Sequence, residues 1–161
     1  MPLITLMPLM PLITLKVMGP MTSAATDPTP AITTGLILFA HGARDPRWAA
    51  PFEAVAARVR AQRPAAAVRL AYLEFMSPTL PEAGAQLAAA GCREVAVLPM
   101  FLGAGGHVRK DLPLLMEQMR AAQPGVTFTL RAAVGETDSV VAAMADVALQ
   151  AMLPAAAETA P

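Results

Sequence analysis

The sequence predicts an α/β fold, a three-layer sandwich built on a four-stranded parallel sheet in the flavodoxin-like strand order 2-1-3-4. Two observations carry that expectation. Short, continuous apolar runs, the mark of strands buried on both faces, alternate along the chain with segments whose apolar residues recur at helical spacing. Strands joined through crossover helices run parallel, and the helices then cover both faces of the sheet.

The elements follow in order. Gly35 to Ala40 reads as the first strand. Pro51 suits a first helical turn, and Phe52, Val55, Ala56 and Val59 continue that helix until Pro64 closes it. Val68 to Leu73 is the second strand. Thr79 and Glu82 have the spacing of a capping box, and Leu80, Ala83, Leu87 and Ala90 follow until Gly91 ends the helix. Glu94 to Pro99 is the third strand; Leu112, Leu115, Met116 and Met119 mark a third helix that ends before Pro124-Gly125. Val126 to Arg131 is the fourth strand, and Val140, Met144, Val147 and Ala151 mark a last helix capped by Thr137 or Asp138.

The flanks read differently. In residues 1–34 the string Pro2-Leu3-Ile4-Thr5-Leu6 recurs as Pro11-Leu12-Ile13-Thr14-Leu15, and prolines at 2, 8, 11, 20, 28 and 30 break helices and central strands alike. The apolar stretch ends at Lys16, too short and interrupted to span a bilayer, and no positive charge precedes it as in a signal peptide. The expectation for 1–34 is a disordered extension, or an upstream-translated tail with the true start at Met18 or Met21. Residues 154–161 read as a frayed end, leaving 35–153 as the single domain.

Composition narrows the function. A 55% hydrophobic, 15% charged chain of 161 residues can build a core, so disorder throughout is excluded. Twelve basic against twelve acidic residues give zero net charge, which argues against a general nucleic-acid binder. Cys92 is the only cysteine, ruling out an internal disulfide framework and a multi-Cys zinc site and fitting a reducing, cytoplasmic setting. No Gly-x-Gly-x-x-Gly follows the first strand and no Walker motif occurs, so a nucleotide site lacks support.

Chemistry concentrates on two histidines. His41 directly follows the first strand, and His107 lies in the loop after the third, 66 positions later. In a 2-1-3-4 sheet those strands are neighbours, and their loops flank the crevice at the switch point. Glu74, at the end of the second strand, reaches the same edge. Two imidazoles and a carboxylate with open positions suit a labile transition-metal site; the bland alternative is that each histidine only hydrogen-bonds its own loop. Arg44 and Arg47 follow His41, while Arg109 and Lys110 follow His107, so cations suited to carboxylate or phosphate flank both. Asp45 and Asp111 could instead neutralise them. The glycines at 103–106, Gly105 and Gly106 among them, would let backbone approach a ligand. Cys92, on the opposite sheet edge, reads as structural.

The strings His41-Gly42-Ala43-Arg44-Asp45-Pro46 and Phe101-Leu102-Gly103-Ala104-Gly105-Gly106-His107-Val108-Arg109-Lys110-Asp111-Leu112-Pro113 resemble the CbiX/SirB-type sirohydrochlorin chelatases, and Leu73-Glu74-Phe75-Met76-Ser77-Pro78-Thr79-Leu80-Pro81-Glu82 resembles that family's segment after the second strand. Ala43 departs from the Ser that the family often carries there. The resemblance covers roughly residues 35–153. It implies a lyase-class enzyme that inserts Co²⁺ or Fe²⁺ (Ni²⁺ also suits imidazole) into sirohydrochlorin without ATP, in cobalamin or siroheme biosynthesis. Metal is then substrate, with no tightly bound cofactor. It further implies His41, His107 and Glu74 as metal and proton-accepting residues. Arg44, Arg47, Gly105, Gly106, Arg109 and Lys110 would face the anionic tetrapyrrole. A homodimer is expected, with no nucleic-acid or membrane partner. Two other readings compete: a metal or tetrapyrrole carrier without turnover, and a flavodoxin-like phosphate-binding domain whose histidines are unused.

Overall fold

In a computed structural model, residues 34–103 and 105–152 are described, and of residues 106–109 the backbone alone. The strands are β1 (Thr34–Ala40), β2 (Ala67–Tyr72), β3 (Glu94–Pro99) and β4 (Thr127–Leu130); the helices are α1 (Ala50–Gln62), α2 (Leu80–Ala89), α3 (Gly106–Ala122) and α4 (Asp138–Ala151). All strand pairs are parallel and their order is β2-β1-β3-β4, as expected. The character expected for residues 1–33 and 154–161 lies outside the described residues, and β1 begins one residue earlier than the apolar run, at Thr34.

Sequence explains why β1 is central. Ile37 to Ala40 are buried in succession, which only a strand covered on both faces tolerates. One face carries Ile37, Phe39, Val95, Val97 and Phe128 against α2 and α3, whose Leu80, Leu87, Met116 and Met119 complete the larger core. On the other face Leu38 and Val68 meet Ala56 of α1, with Leu36, Val59, Leu70 and Leu98 around them. Thr79 caps α2 as its spacing requires: its N–H donates to Glu82 Oε2 at 2.8 Å. Asp45 caps a 3-10 turn, Pro46–Ala49, that leads into α1.

Two expectations change. Helix α3 starts at Gly106, six residues before Leu112, so His107, Arg109 and Lys110 stand in its opening turns rather than in the loop after β3. The string Gly106-His107-Val108-Arg109-Lys110 has one apolar residue and so no helical repeat to mark a start. The second change concerns α4. Its apolar stripe packs against no sheet: none of its residues is buried, and its contacts fall mainly on the 3-10 turn Val134–Glu136. The β3–β4 part of the α1-side face is correspondingly open, with Thr127 and Thr129 exposed.

Candidate functional site

The strand order places the carboxyl ends of β2, β1 and β3 side by side, and the chemistry gathers there. The β1–β2 ladder continues beyond both strands: Leu73 N–H donates to Ala40 O and Glu74 N–H donates to His41 O, each at 3.0 Å. These bonds hold the backbones of His41 and Glu74 together, and their side chains meet, His41 Nε2 lying 3.0 Å from Glu74 Oε1. The two side chains are 51% and 45% exposed, so a solvated ion can reach both.

Residues outside the expected set build this pair. Gly42 has φ +91°, and a Cβ there would lie 1.9 Å from the Glu74 carbonyl oxygen. Only glycine permits that approach with that backbone. Phe75 also takes a positive φ, 63°, which is rare for a bulky residue, and its ring is left 57% exposed. The turn closes through Met76 N–H donating to Glu74 O at 2.8 Å. Beneath the imidazole, buried Phe101 packs edge-on, its ring centroid 6.3 Å from that of His41 and 5.7 Å from that of Phe39. The available signals were Gly42 beside a histidine and Phe75 as an aromatic in a polar turn of a chain with only seven aromatic residues.

The cations divide. The guanidinium of Arg44 lies over the ring of Phe75, the residue after Glu74, 4.8 Å from its centroid. Arg47 instead turns back on Asp45, donating from its backbone N–H, Nε and Nη2, with a closest approach of 2.7 Å. That side-chain pairing holds the Asp45 carboxyl below the usual carboxylate range and raises Arg47 above its own. Lys110 is exposed on α3; Gly106, His107 and Arg109 open the same helix, with Gly105 as its N-cap. A Cβ at Gly103 or Gly105 would meet nothing within 4 Å, so this chain's own packing does not require glycine at either. Among the described residues no three His, Cys, Asp or Glu side chains converge as a metal cluster; the His107 side chain is not one of those described. Cys92 is buried at the α2–β3 turn on the opposite edge, where burial pushes its thiol pKa up.

No described helix is long and apolar enough to cross a membrane. The CbiX family model matches residues 35–151. A sirohydrochlorin cobaltochelatase of Methanococcus maripaludis is 32% identical over 81 residues, 50% of this chain and 56% of that protein. The match thus spans little more than half the length of that curated relative. A cobalamin (vitamin B12) biosynthesis CbiX protein from Marinobacter aquaeolei has a similar structure, with a TM-score of 0.64 at 34% identity over 73% of this chain and 96% of that one. The sirohydrochlorin chelatase SirB from Bacillus subtilis subspecies spizizenii, solved in complex with cobalt, shares the fold with a TM-score of 0.64 at 19% identity, over 73% of this chain and 50% of that one.

Proposed function

The chain belongs to the CbiX family, and on that premise we propose that it inserts a divalent metal ion, Co²⁺ or Fe²⁺, into sirohydrochlorin without ATP. The observation that carries the reading is the His41–Glu74 pair. Its donor atoms are 3.0 Å apart. An ion about 2.1 Å from each would see them at about 90°, the angle between neighbouring ligands of a six-coordinate ion and narrower than a tetrahedral site prefers. Neither group would have to move far to hold such an ion, the neutral imidazole through its Nε2 lone pair and Glu74 through Oε1. His107, in the first turn of α3, is the third residue of the set in this reading.

Metallation replaces two pyrrole N–H protons by the ion, so the site must hold metal, take up protons and receive a flat, anionic ring. Glu74 and the histidines supply the first two roles. A neutral His41 whose Nε2 carries its free lone pair can accept a pyrrole proton there and pass it on to the Glu74 carboxylate 3.0 Å away, from which it leaves to water. The exposed Phe75 ring offers apolar surface to the macrocycle and Arg44 above it offers charge to the peripheral carboxylates, a role that Arg109 and Lys110 of α3 share in this reading. Arg47 can join them by exchanging Asp45 for a substrate carboxylate. Zero net charge is no obstacle, since steering depends on local charge. A second copy of the chain completes the enclosure in this reading.

The test is anaerobic incubation of the full chain with excess sirohydrochlorin and Co²⁺ or Fe²⁺, following the visible spectrum of the macrocycle. Many turnovers above the protein-free rate are expected, abolished in folded His41→Ala and His107→Ala variants. A spectral change that stops at one equivalent would make the protein a carrier; turnover unchanged in both variants would refute the assigned site.

A further inference from the structure

Residues 54–73 carry Arg58, Arg60, Arg63 and Arg69 and no acidic residue, in a chain whose net charge is zero. Two of these arginines meet. Strand β2 is an edge of the sheet, and one of its carbonyls, Val68 O, accepts from Arg60 Nη2 at 2.9 Å and from Arg69 Nη1 at 3.1 Å. The guanidiniums arrive from opposite faces. Val68 packs against Ala56 of α1, the helix that carries Arg60, and side chains alternate along a strand, so Arg69 comes round from the α2–α3 face. Bonded to one oxygen, the two nitrogens are within about 6 Å of each other, close enough for like charges to repel. Neither guanidinium has a carboxylate within ion-pair distance among the described residues.

The opposite edge of the sheet shows what such a contact needs. There Arg120 of α3 donates from Nη2 to Phe128 O of β4 at 3.1 Å, and like Arg60 it stands eight residues before the carbonyl that it reaches. One arginine suffices on that edge, and the strand residue after Phe128 is the uncharged Thr129. Arg60 and Arg120 also stand in the last turns of their helices, where a cation suits the helix dipole. Those two reasons account for Arg60 and Arg120 but not for Arg69, a half-buried second cation beside the first. A guanidinium has five N–H donors, and each of this pair gives one to Val68 O, so most of both forks stays open to another acceptor.

The acceptor must be small. At its carboxyl end the outer edge of β2 is closed, since Tyr72 N–H donates to Pro78 O at 2.9 Å and Tyr72 bridges to Thr79. With Val68 O occupied as well, an added peptide strand would find only the short stretch between them. A phosphoryl group at neutral pH carries about 1.5–2 negative charges, which matches two guanidiniums where a single carboxylate would not. We propose that Arg60 and Arg69 form a binding site for a phosphoryl group, free or as a small ester, on the β2 edge. Arg63, three positions along the chain from Arg60, adds to the local positive field. Val68 is the second residue of β2, whereas Glu74 lies past the far end of that strand, so this site is separate from the His41–Glu74 pair.

Inorganic phosphate and glycerol phosphate are the probes, titrated calorimetrically into the full chain at constant ionic strength. Saturable binding of one equivalent is expected; saturation by inorganic phosphate identifies the free anion as sufficient, and saturation by glycerol phosphate alone identifies an ester. Arg69→Gln should weaken binding about tenfold or more, the loss of one charged hydrogen bond. Arg60→Gln, at an exposed helix position, should do the same and covers the case in which Arg69→Gln fails to fold. Arg44→Gln, at the carboxyl edge, should leave binding unchanged. No saturation by either probe, wild-type affinity in a folded Arg60→Gln or Arg69→Gln variant, or binding lost in Arg44→Gln would overturn the site. A chain that binds phosphate in this way but does not metallate would sink the proposed function and leave the site standing.

Discussion

Gly42→Ala tests how the site is built without touching a proposed ligand. The added Cβ would lie 1.9 Å from the Glu74 carbonyl oxygen, where ordinary contact starts near 3.4 Å, so the two backbones must part by about 1.5 Å. The bond from Glu74 N–H to His41 O and the pairing of their side chains span the same junction, each at 3.0 Å, and neither survives such a displacement. A misplacement of about 1 Å costs an active site on the order of 10²-fold in rate. Forcing alanine to φ +91° adds about 1–2 kcal/mol of backbone strain. For a domain of this size that lowers Tm by roughly 4–8 °C. The assay pairs initial metallation rates with thermal unfolding, and adds Co²⁺ titration by visible absorption to read the pair directly. The expected variant is folded, less stable, weaker for Co²⁺ and about a hundredfold slower. Wild-type rates in a variant whose Tm has fallen would refute the positioning role of Gly42.

Three further outcomes follow from the same geometry. Phe75→Gly removes an exposed ring and relieves a positive φ, so the strain relieved, about 1–2 kcal/mol, offsets the lost Arg44 contact, about 0.5–1 kcal/mol. Denaturant unfolding should change by less than about 1 kcal/mol while the macrocycle's KM rises at least tenfold; an unchanged KM would exclude the ring from binding. Glu74→Gln keeps the side chain's size but removes the carboxylate, so Co²⁺ affinity should fall at least tenfold by titration with the circular dichroism unchanged, and wild-type affinity would exclude Glu74 as a donor. The Cys92 thiol, with its pKa raised by burial, favours its protonated form more when folded than when unfolded. That contribution is fully present below the unfolded value near 8.5 and is lost as pH rises toward the folded one. Stability measured from pH 8 upward should therefore decline, less so in Cys92→Ala, and an identical decline in both proteins would remove the thiol as a cause.

Sequence alone determined the layers and their order. Buried strands announce themselves as unbroken apolar runs because both faces are covered, and right-handed crossovers then leave few ways to arrange four of them. His41 and Glu74 were legible because each lies within two residues of the end of a strand whose place in the sheet the pattern had fixed. The start of α3 was not, since Gly106-His107-Val108-Arg109-Lys110 carries a single apolar residue and so no helical repeat. Tertiary structure decided which cation is engaged: Arg44 and Arg47 are three residues apart and chemically alike, yet one stacks on Phe75 and the other closes on Asp45. It also decided that Gly42 and Phe75 hold unusual backbone angles, because those arise from the approach of two loops that are 33 residues apart in the chain, Gly42 to Phe75. The fate of α4 was likewise out of reach. Its apolar spacing reads as a core-facing stripe, and only the tertiary structure shows that the helix packs mainly on the turn Val134–Glu136 with none of its residues buried.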